Sequence, residues 1–195
     1  MATMSPVTVS APTARIPLEH RNTPFVRIAR WWSRRRYGAM LEPLLATMHN
    51  RKVLTSMGLL ELTVPRWSSL DPDVRDLAEL AVSAQIGCSW CIDFGYFLSH
   101  NRGMDRAKLE GLADWRASDA YSPLERQVLG FAEAMTTTPP TVTDEMVEGL
   151  RASLTDEQLV ELTAMIALEN LRSRTNAALG LTSQGFKDHC EVPSA

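Results

Sequence analysis

Cysteine is scarce in this chain, three among 195 residues. An odd count this low does not make the paired framework of a small secreted scaffold. Histidine is also sparse, with four residues and no His-x₃-His pair. A structural zinc site would therefore lack two of its ligands, and no metal or other cofactor is expected. No apolar run is long enough to span a bilayer, and the opening residues hold no signal-peptide core. No membrane partner is expected, and the reducing cytoplasm is the default compartment. Neither sign of charge dominates, since 20 Lys and Arg stand against 23 Asp and Glu for a net charge of −3. The chain as a whole is not built to bind polyanions, and no nucleic-acid partner is expected. Strand-type alternation is missing over any useful length, and so are internal repeats.

What is present is helix punctuation. Hydrophobic residues make up 45% and charged residues 22%, enough to bury a core. Residues 1–23 carry Pro, Thr and Ser without periodicity and are expected to form a flexible N-terminal arm. A basic amphipathic stretch follows over 24–48, with Phe25, Ile28, Trp32 and Leu41 among five arginines; Gly38 and Pro43 should break it. A short helix is predicted over 52–62. Asp71-Pro72 is an N-cap with proline at the first helical position, and Val74, Leu77, Leu80, Ala81 and Ala84 recur at helical spacing up to Gly87. The next helix should run from about Cys88 to Asn101, with Gly103 as its stop. Asp105 caps a short helix through Leu112. Ser122 with Glu125, and Thr155 with Gln158, have the form of capping boxes. They open a helix carrying Val128, Phe131 and Met135, and a long buried one marked by Leu159, Leu162, Met165, Ile166 and Leu171. The expected fold is all-α: one helical domain over 24–186 and a C-terminal tail over 187–195.

Two of the three cysteines form Cys88-Ser89-Trp90-Cys91, immediately after Gly87. A thiol works as its thiolate, and a helix N-terminus favours that anion through its free N–H groups and macrodipole. Cysteines three apart at such a start can close a disulfide reversibly across one turn. The same spacing also suits inert packing, since cysteine is among the most buried residue types. The spacing alone leaves both open.

Residues 76–93 read Asp-Leu-Ala-Glu-Leu-Ala-Val-Ser-Ala-Gln-Ile-Gly-Cys-Ser-Trp-Cys-Ile-Asp. This segment resembles the core of the carboxymuconolactone decarboxylase/AhpD-like superfamily of small, usually oligomeric helical proteins. A weaker likeness continues through Glu169-Asn170-Leu171-Arg172 to Gly180. The resemblance implies an AhpD-like fold and a thiol-dependent peroxidase or disulfide oxidoreductase. Cys91 would then be the peroxidatic thiol, Cys88 the resolving one, and Asp76 the relay carboxylate. A hydroperoxide substrate, an external dithiol or thioredoxin-like reductant and a homo-oligomer are the partners it implies. The sequence departs from the pattern at Gly95, where the family's histidine would stand four residues after the second cysteine, and at Trp90 between the cysteines. His100 lies nine residues past Cys91, on the opposite helix face and about 13 Å along the axis.

Other features are weaker. Asp76 also stands where a first-turn acid is favoured by the helix dipole, and Glu79 and Asp93 are further nearby carboxylates. Trp90, Phe94 and Phe97 fit a core, a subunit interface or the wall of an apolar pocket. The Arg27–Arg36 cluster with Trp31, Trp32 and Tyr37 suits a face against a partner subunit. His189 and Cys190 fall in the polar tail. Two other functions stay open: a carboxymuconolactone decarboxylase-like lyase, and a non-catalytic oligomeric helical protein with a degenerate site.

Overall fold

In the computed structural model, residues 14–190 are described. The helices among them are α1 (Pro24–Tyr37), α2 (Glu42–Thr47), α3 (Arg51–Thr63), α4 (Pro72–Ile86), α5 (Ser89–Arg102), α6 (Arg106–Gly111), α7 (Pro123–Thr136), α8 (Asp144–Arg151) and α9 (Asp156–Ala178). Short 3₁₀ turns cover Val64–Arg66, Leu112–Asp114 and Lys187–Cys190. No strand occurs among the described residues, so the all-α expectation holds.

Local chemistry sets most of these boundaries. The side chains of Asp71, Ser122 and Thr155 each accept a backbone N–H from the first turn of the helix they start. Both expected capping boxes close in full, Ser122 with Glu125 and Thr155 with Gln158. Pro43 does not break a helix as expected; it occupies the first turn of α2, where its missing N–H leaves no bond unmade.

Helix α4 is the axis of the fold. It packs against α7, α9 and α5, and Leu77, Ala78 and Val82 are fully enclosed. Val128 and Leu129 of α7 and Leu162 and Ile166 of α9 complete that core. Two apolar assignments are corrected by the packing. Leu171, expected to mark the buried face of α9, is 46% exposed. On α1 the buried residues are Val26 and Ser33, while Phe25, Ile28, Trp31 and Trp32 face solvent. Ser33 can be buried because both its hydrogen-bonding roles are filled, by the Ala39 carbonyl and the Leu41 amide.

The expected N-terminal arm divides in two. Residues 1–13 lie outside the described residues. In the rest, Arg15 bonds the carbonyls of Ala177, Ala178 and Leu179, placing a cation at the negative end of α9. His20 and His49 also tie it to the body, through the carbonyls of Leu45 and Pro17 respectively. At the other end, Lys187–Cys190, expected in the tail, packs as a 3₁₀ turn on α5. No helix among the described residues is long and apolar enough to cross a membrane.

Candidate active site

Helix α4 ends at Gly87, whose φ of 75° is the left-handed conformation glycine adopts at little cost. That turn delivers Cys88 to the N-cap of α5. Its amide donates to the Ser83 carbonyl at 3.0 Å, and its sulfur accepts the Cys91 amide at 3.2 Å. A sulfur thus fills a position usually held by the oxygen of Ser, Thr, Asp or Asn. Cys88 and Cys91 are joined as a disulfide with a Cα–Cα distance of 5.3 Å. Asn176 of α9 donates its Nδ2 to Cys91 Sγ at 3.4 Å. Cys88 is 1% exposed and Cys91 7%.

Aromatic side chains enclose the pair. Cys88, Cys91, Trp90 and Phe186 form one buried cluster, with Tyr37, Phe94 and Phe97 packed against it. Phe94 lies edge-on to Phe186 and to Tyr37, with ring centroids 5.1 Å apart in each case. Phe186 is held there by Asp93, whose carboxylate accepts the backbone N–H groups of Gln184 (2.9 Å), Phe186 (3.1 Å) and Lys187 (2.7 Å). Gln184 accepts the Trp90 indole N–H at 2.7 Å and the Glu42 amide at 3.0 Å, and donates to the Met40 carbonyl at 2.9 Å. Asp93 therefore fastens the wall of the site to α5.

The other expected site residue lies elsewhere. Asp76 is buried, but its carboxylate accepts from Ser99 at 3.1 Å and is paired with Arg102 and Arg75. Ser99 is eight residues beyond Cys91, about 12 Å along the helix axis. The structure brings Cys88 and Cys91 together and does not bring Asp76 to them. Gly95 lies against α4, and a Cβ there would come 2.9 Å from Leu80 Cδ2. A side chain at this position would require the end of the Leu80 side chain to shift. His100 stacks beside Tyr96, with ring centroids 6.2 Å apart, on the far half of α5. Among the described residues no group of three His, Cys, Asp or Glu side chains converges to hold a metal ion. A cleft of about 650 Å³ between α4, α7 and the 112–116 segment is lined by neither cysteine of the pair.

A buried polar cluster lies behind the disulfide instead. Glu169 of α9 accepts the hydroxyls of Ser173 at 2.6 Å and Ser83 at 2.9 Å. Arg172 bonds Glu61 and Glu79, and reaches Glu169 at 3.4 Å. Burial, then the neighbouring Glu79 charge, push the Glu169 carboxyl up to about 7, against the pull of Arg172. Burial likewise raises Glu79.

Residues 53–134 match the carboxymuconolactone decarboxylase family. The uncharacterized protein YnjA of Escherichia coli (strain K12) is 36% identical over 184 residues, spanning 93% of this chain and 96% of that protein. The chain belongs to the carboxymuconolactone decarboxylase family. Solved members of this fold superpose on it. An uncharacterized peroxidase-related protein from Ralstonia eutropha JMP134, an alkylhydroperoxidase AhpD core, does so with a TM-score of 0.79 at 18% identity, covering 95% of this chain and all of that one. The debrominase Bmp8 gives 0.76 at 20% identity, over 94% of this chain and 96% of its own. These establish the AhpD-like fold and the carboxymuconolactone decarboxylase family expected from the 76–93 segment.

Within this family member, the sequence reasoning missed Ser83 and Asn176 as neighbours of the cysteines, and Glu169 and Ser173 as the polar groups joined to Ser83. A signal existed: Glu169, Ser173 and Asn176 recur at i, i+4 and i+7, a polar stripe in a helix otherwise buried by Leu162, Met165 and Ile166. The Glu169 environment also fixes a pH dependence. A carboxyl raised from 4.5 to about 7 on folding gives stability that is full below 4.5 and is lost as the pH rises through about 7. The span corresponds to about 3 kcal/mol. Glu169→Gln is expected to flatten this part of the stability–pH curve and to equal or exceed the parent at alkaline pH. Denaturant unfolding on both sides of neutrality checks it; parallel curves for the two proteins would contradict it.

Proposed function

We propose that this protein is a thiol-dependent peroxidase or disulfide oxidoreductase that cycles through Cys88 and Cys91. The observation that carries the reading is the disulfide itself, closed across the first turn of α5 and walled by aromatic side chains. Cys91, in the first turn of the helix, is held from outside the pair by Asn176, and both features favour its thiolate. Its sulfur attacks the distal oxygen of a hydroperoxide, the O–O bond breaks, and an alcohol leaves once its oxygen is protonated. The resulting sulfenic acid condenses with the Cys88 thiol, forming the disulfide and releasing water. An external dithiol then reduces the pair by exchange and is itself oxidised to a disulfide.

The apolar wall of Trp90, Phe94 and Phe186 suits an organic hydroperoxide with a hydrophobic body. A homo-oligomer belongs to the same proposal, supported by the solvent-facing Phe25, Ile28, Trp31 and Trp32 on α1. The test uses fully reduced protein and one equivalent of tert-butyl hydroperoxide. Mass spectrometry is expected to show loss of two hydrogens at a Cys88–Cys91 peptide, with one equivalent of alcohol formed. Both thiols still free after the peroxide is added would overturn the reading.

A further inference from the structure

A disulfide site requires no buried carboxyl behind it, yet one is present. Asn176, Ser173 and Glu169 lie on one face of α9, all buried. Ser83, also buried, meets them from α4, with its hydroxyl 3.4 Å from that of Ser173. The carboxylate of Glu169 reaches toward the C-terminal end of α9, since its Oε1 is 2.6 Å from Ser173 Oγ. Ser173 in turn stands three residues before Asn176 on that face, and the Asn176 amide holds Cys91 Sγ. On the other side, the residue whose hydroxyl bonds Glu169 also receives the Cys88 amide on its carbonyl. Glu169 is thus bracketed by hydroxyls on the two segments that fix the sulfurs. Neither Asp76, engaged with Ser99 and Arg102, nor Gly95, with no side chain, competes for the role.

We propose that Glu169, acting through Ser173 beside Asn176, holds and returns the proton of the Cys88–Cys91 site. The proposal rests on the thiol-peroxidase reading above and names the proton carrier for it. In the reduced protein the Cys91 thiol gives its proton to the Glu169 carboxylate, leaving a thiolate and a neutral carboxyl. The thiolate takes the distal oxygen of the hydroperoxide. The departing alkoxide takes the proton back along the same hydroxyl, giving an alcohol, a Cys91 sulfenic acid and the Glu169 carboxylate. Glu169 does not meet the peroxide; it is a positioning residue for the proton.

The surrounding charges suit a carrier that works in both states. Glu79 and Arg75 face the cluster from α4, Arg172 from α9, and Glu61 from α3 through Arg172. Burial and Glu79 favour the neutral carboxyl, while Arg172 and the two serine hydroxyls favour the anion. With the balance at about 7, both forms are populated at neutral pH, as proton exchange demands.

The test compares reduced wild type with Glu169→Gln and Ser173→Ala in two assays across the neutral range. The first is the iodoacetamide alkylation rate of the thiols against pH, which needs no peroxide. The second is the rate constant with tert-butyl hydroperoxide. Wild-type alkylation is expected to show an inflection near the carboxyl value, as the Glu169 charge raises the thiol with which it shares the proton. Glu169→Gln should lose that inflection and alkylate at least as fast. Its peroxide reaction should fall about a hundredfold, since the leaving oxygen has lost its proton donor. A residue serving only packing would not separate the two rates in this way. Ser173→Ala keeps the carboxyl but cuts its link, and is expected to repeat the slow peroxide reaction; it decides the matter if Glu169→Gln does not fold. An unchanged alkylation profile in Glu169→Gln, or an unchanged peroxide rate in Ser173→Ala, overturns the proposal. Complete inertness of the wild-type thiols to peroxide would instead remove the peroxidase reading, with the alkylation profiles still deciding whether Glu169 and the thiol share a proton.

Discussion

Cys91→Ser is expected to slow hydroperoxide consumption by about a thousandfold or more, because the sulfur that takes the peroxide oxygen in the first step is gone. The assignment to Cys91 has a local cause. Its sulfur is the one contacted from outside the pair, by Asn176, whereas Cys88 Sγ caps α5 and is 1% exposed. Cys88→Ser should therefore fail differently. Its Cys91 is expected to oxidise once and stop at the sulfenic acid, which dimedone traps as an adduct visible by mass spectrometry. Turnover with a dithiol donor would be lost in both variants, but only Cys88→Ser would carry the trapped adduct. An adduct on Cys88 in the Cys91→Ser protein would reverse the two roles.

The second large effect belongs to Asp93. Its buried carboxylate accepts three backbone N–H groups, from Gln184, Phe186 and Lys187. Asp93→Ala would strand these donors, all three in buried or half-buried positions. A buried, charge-assisted set of this kind is worth about 3–5 kcal/mol on truncation. The thermal midpoint should fall by roughly 10 °C for a chain of this size. Asp93→Asn keeps one acceptor oxygen and is expected to lose about half as much. Release of this segment also frees Phe186, so iodoacetamide should reach the reduced thiols faster in Asp93→Ala. Calorimetry and alkylation test the two consequences separately; a midpoint within a degree or two of wild type would show that the clamp is dispensable.

How far the sequence revealed this molecule depended on how local each cause was. Helix starts were legible because Asp71-Pro72, Ser122 with Glu125 and Thr155 with Gln158 act within one turn. The disulfide was within reach for the same reason, since the pair lies within one turn after a glycine, although the spacing alone left inert packing open as well. Burial on α1 was not, because the fate of Ser33 is settled by Ala39 and Leu41 in the following loop. Nor was the partnership of Asp93 with 184–187, which joins segments 91 residues apart or more. Asp76 is the more instructive case. It stands twelve residues before Cys88 and Ser99 eleven after, so in an antiparallel helical hairpin turning at 87–88 the two must meet. Chain geometry alone places Asp76 two turns from Cys91. Family position suggested a relay role, and here the Asp76 carboxylate is engaged by Ser99, Arg102 and Arg75.

Enclosure of the disulfide separates the two halves of any thiol cycle by molecular size. A hydroperoxide has to bring only its terminal oxygen to the sulfur. A protein dithiol must bring a whole surface with it, and the rings around Cys88 and Cys91 occupy the space that surface needs. In the proposed cycle, oxidation would thereby be matched to small diffusing molecules. In that cycle, reduction would be matched either to a small dithiol or to a partner whose docking displaces the 184–187 segment, so the step that resets the pair would carry the greater steric demand.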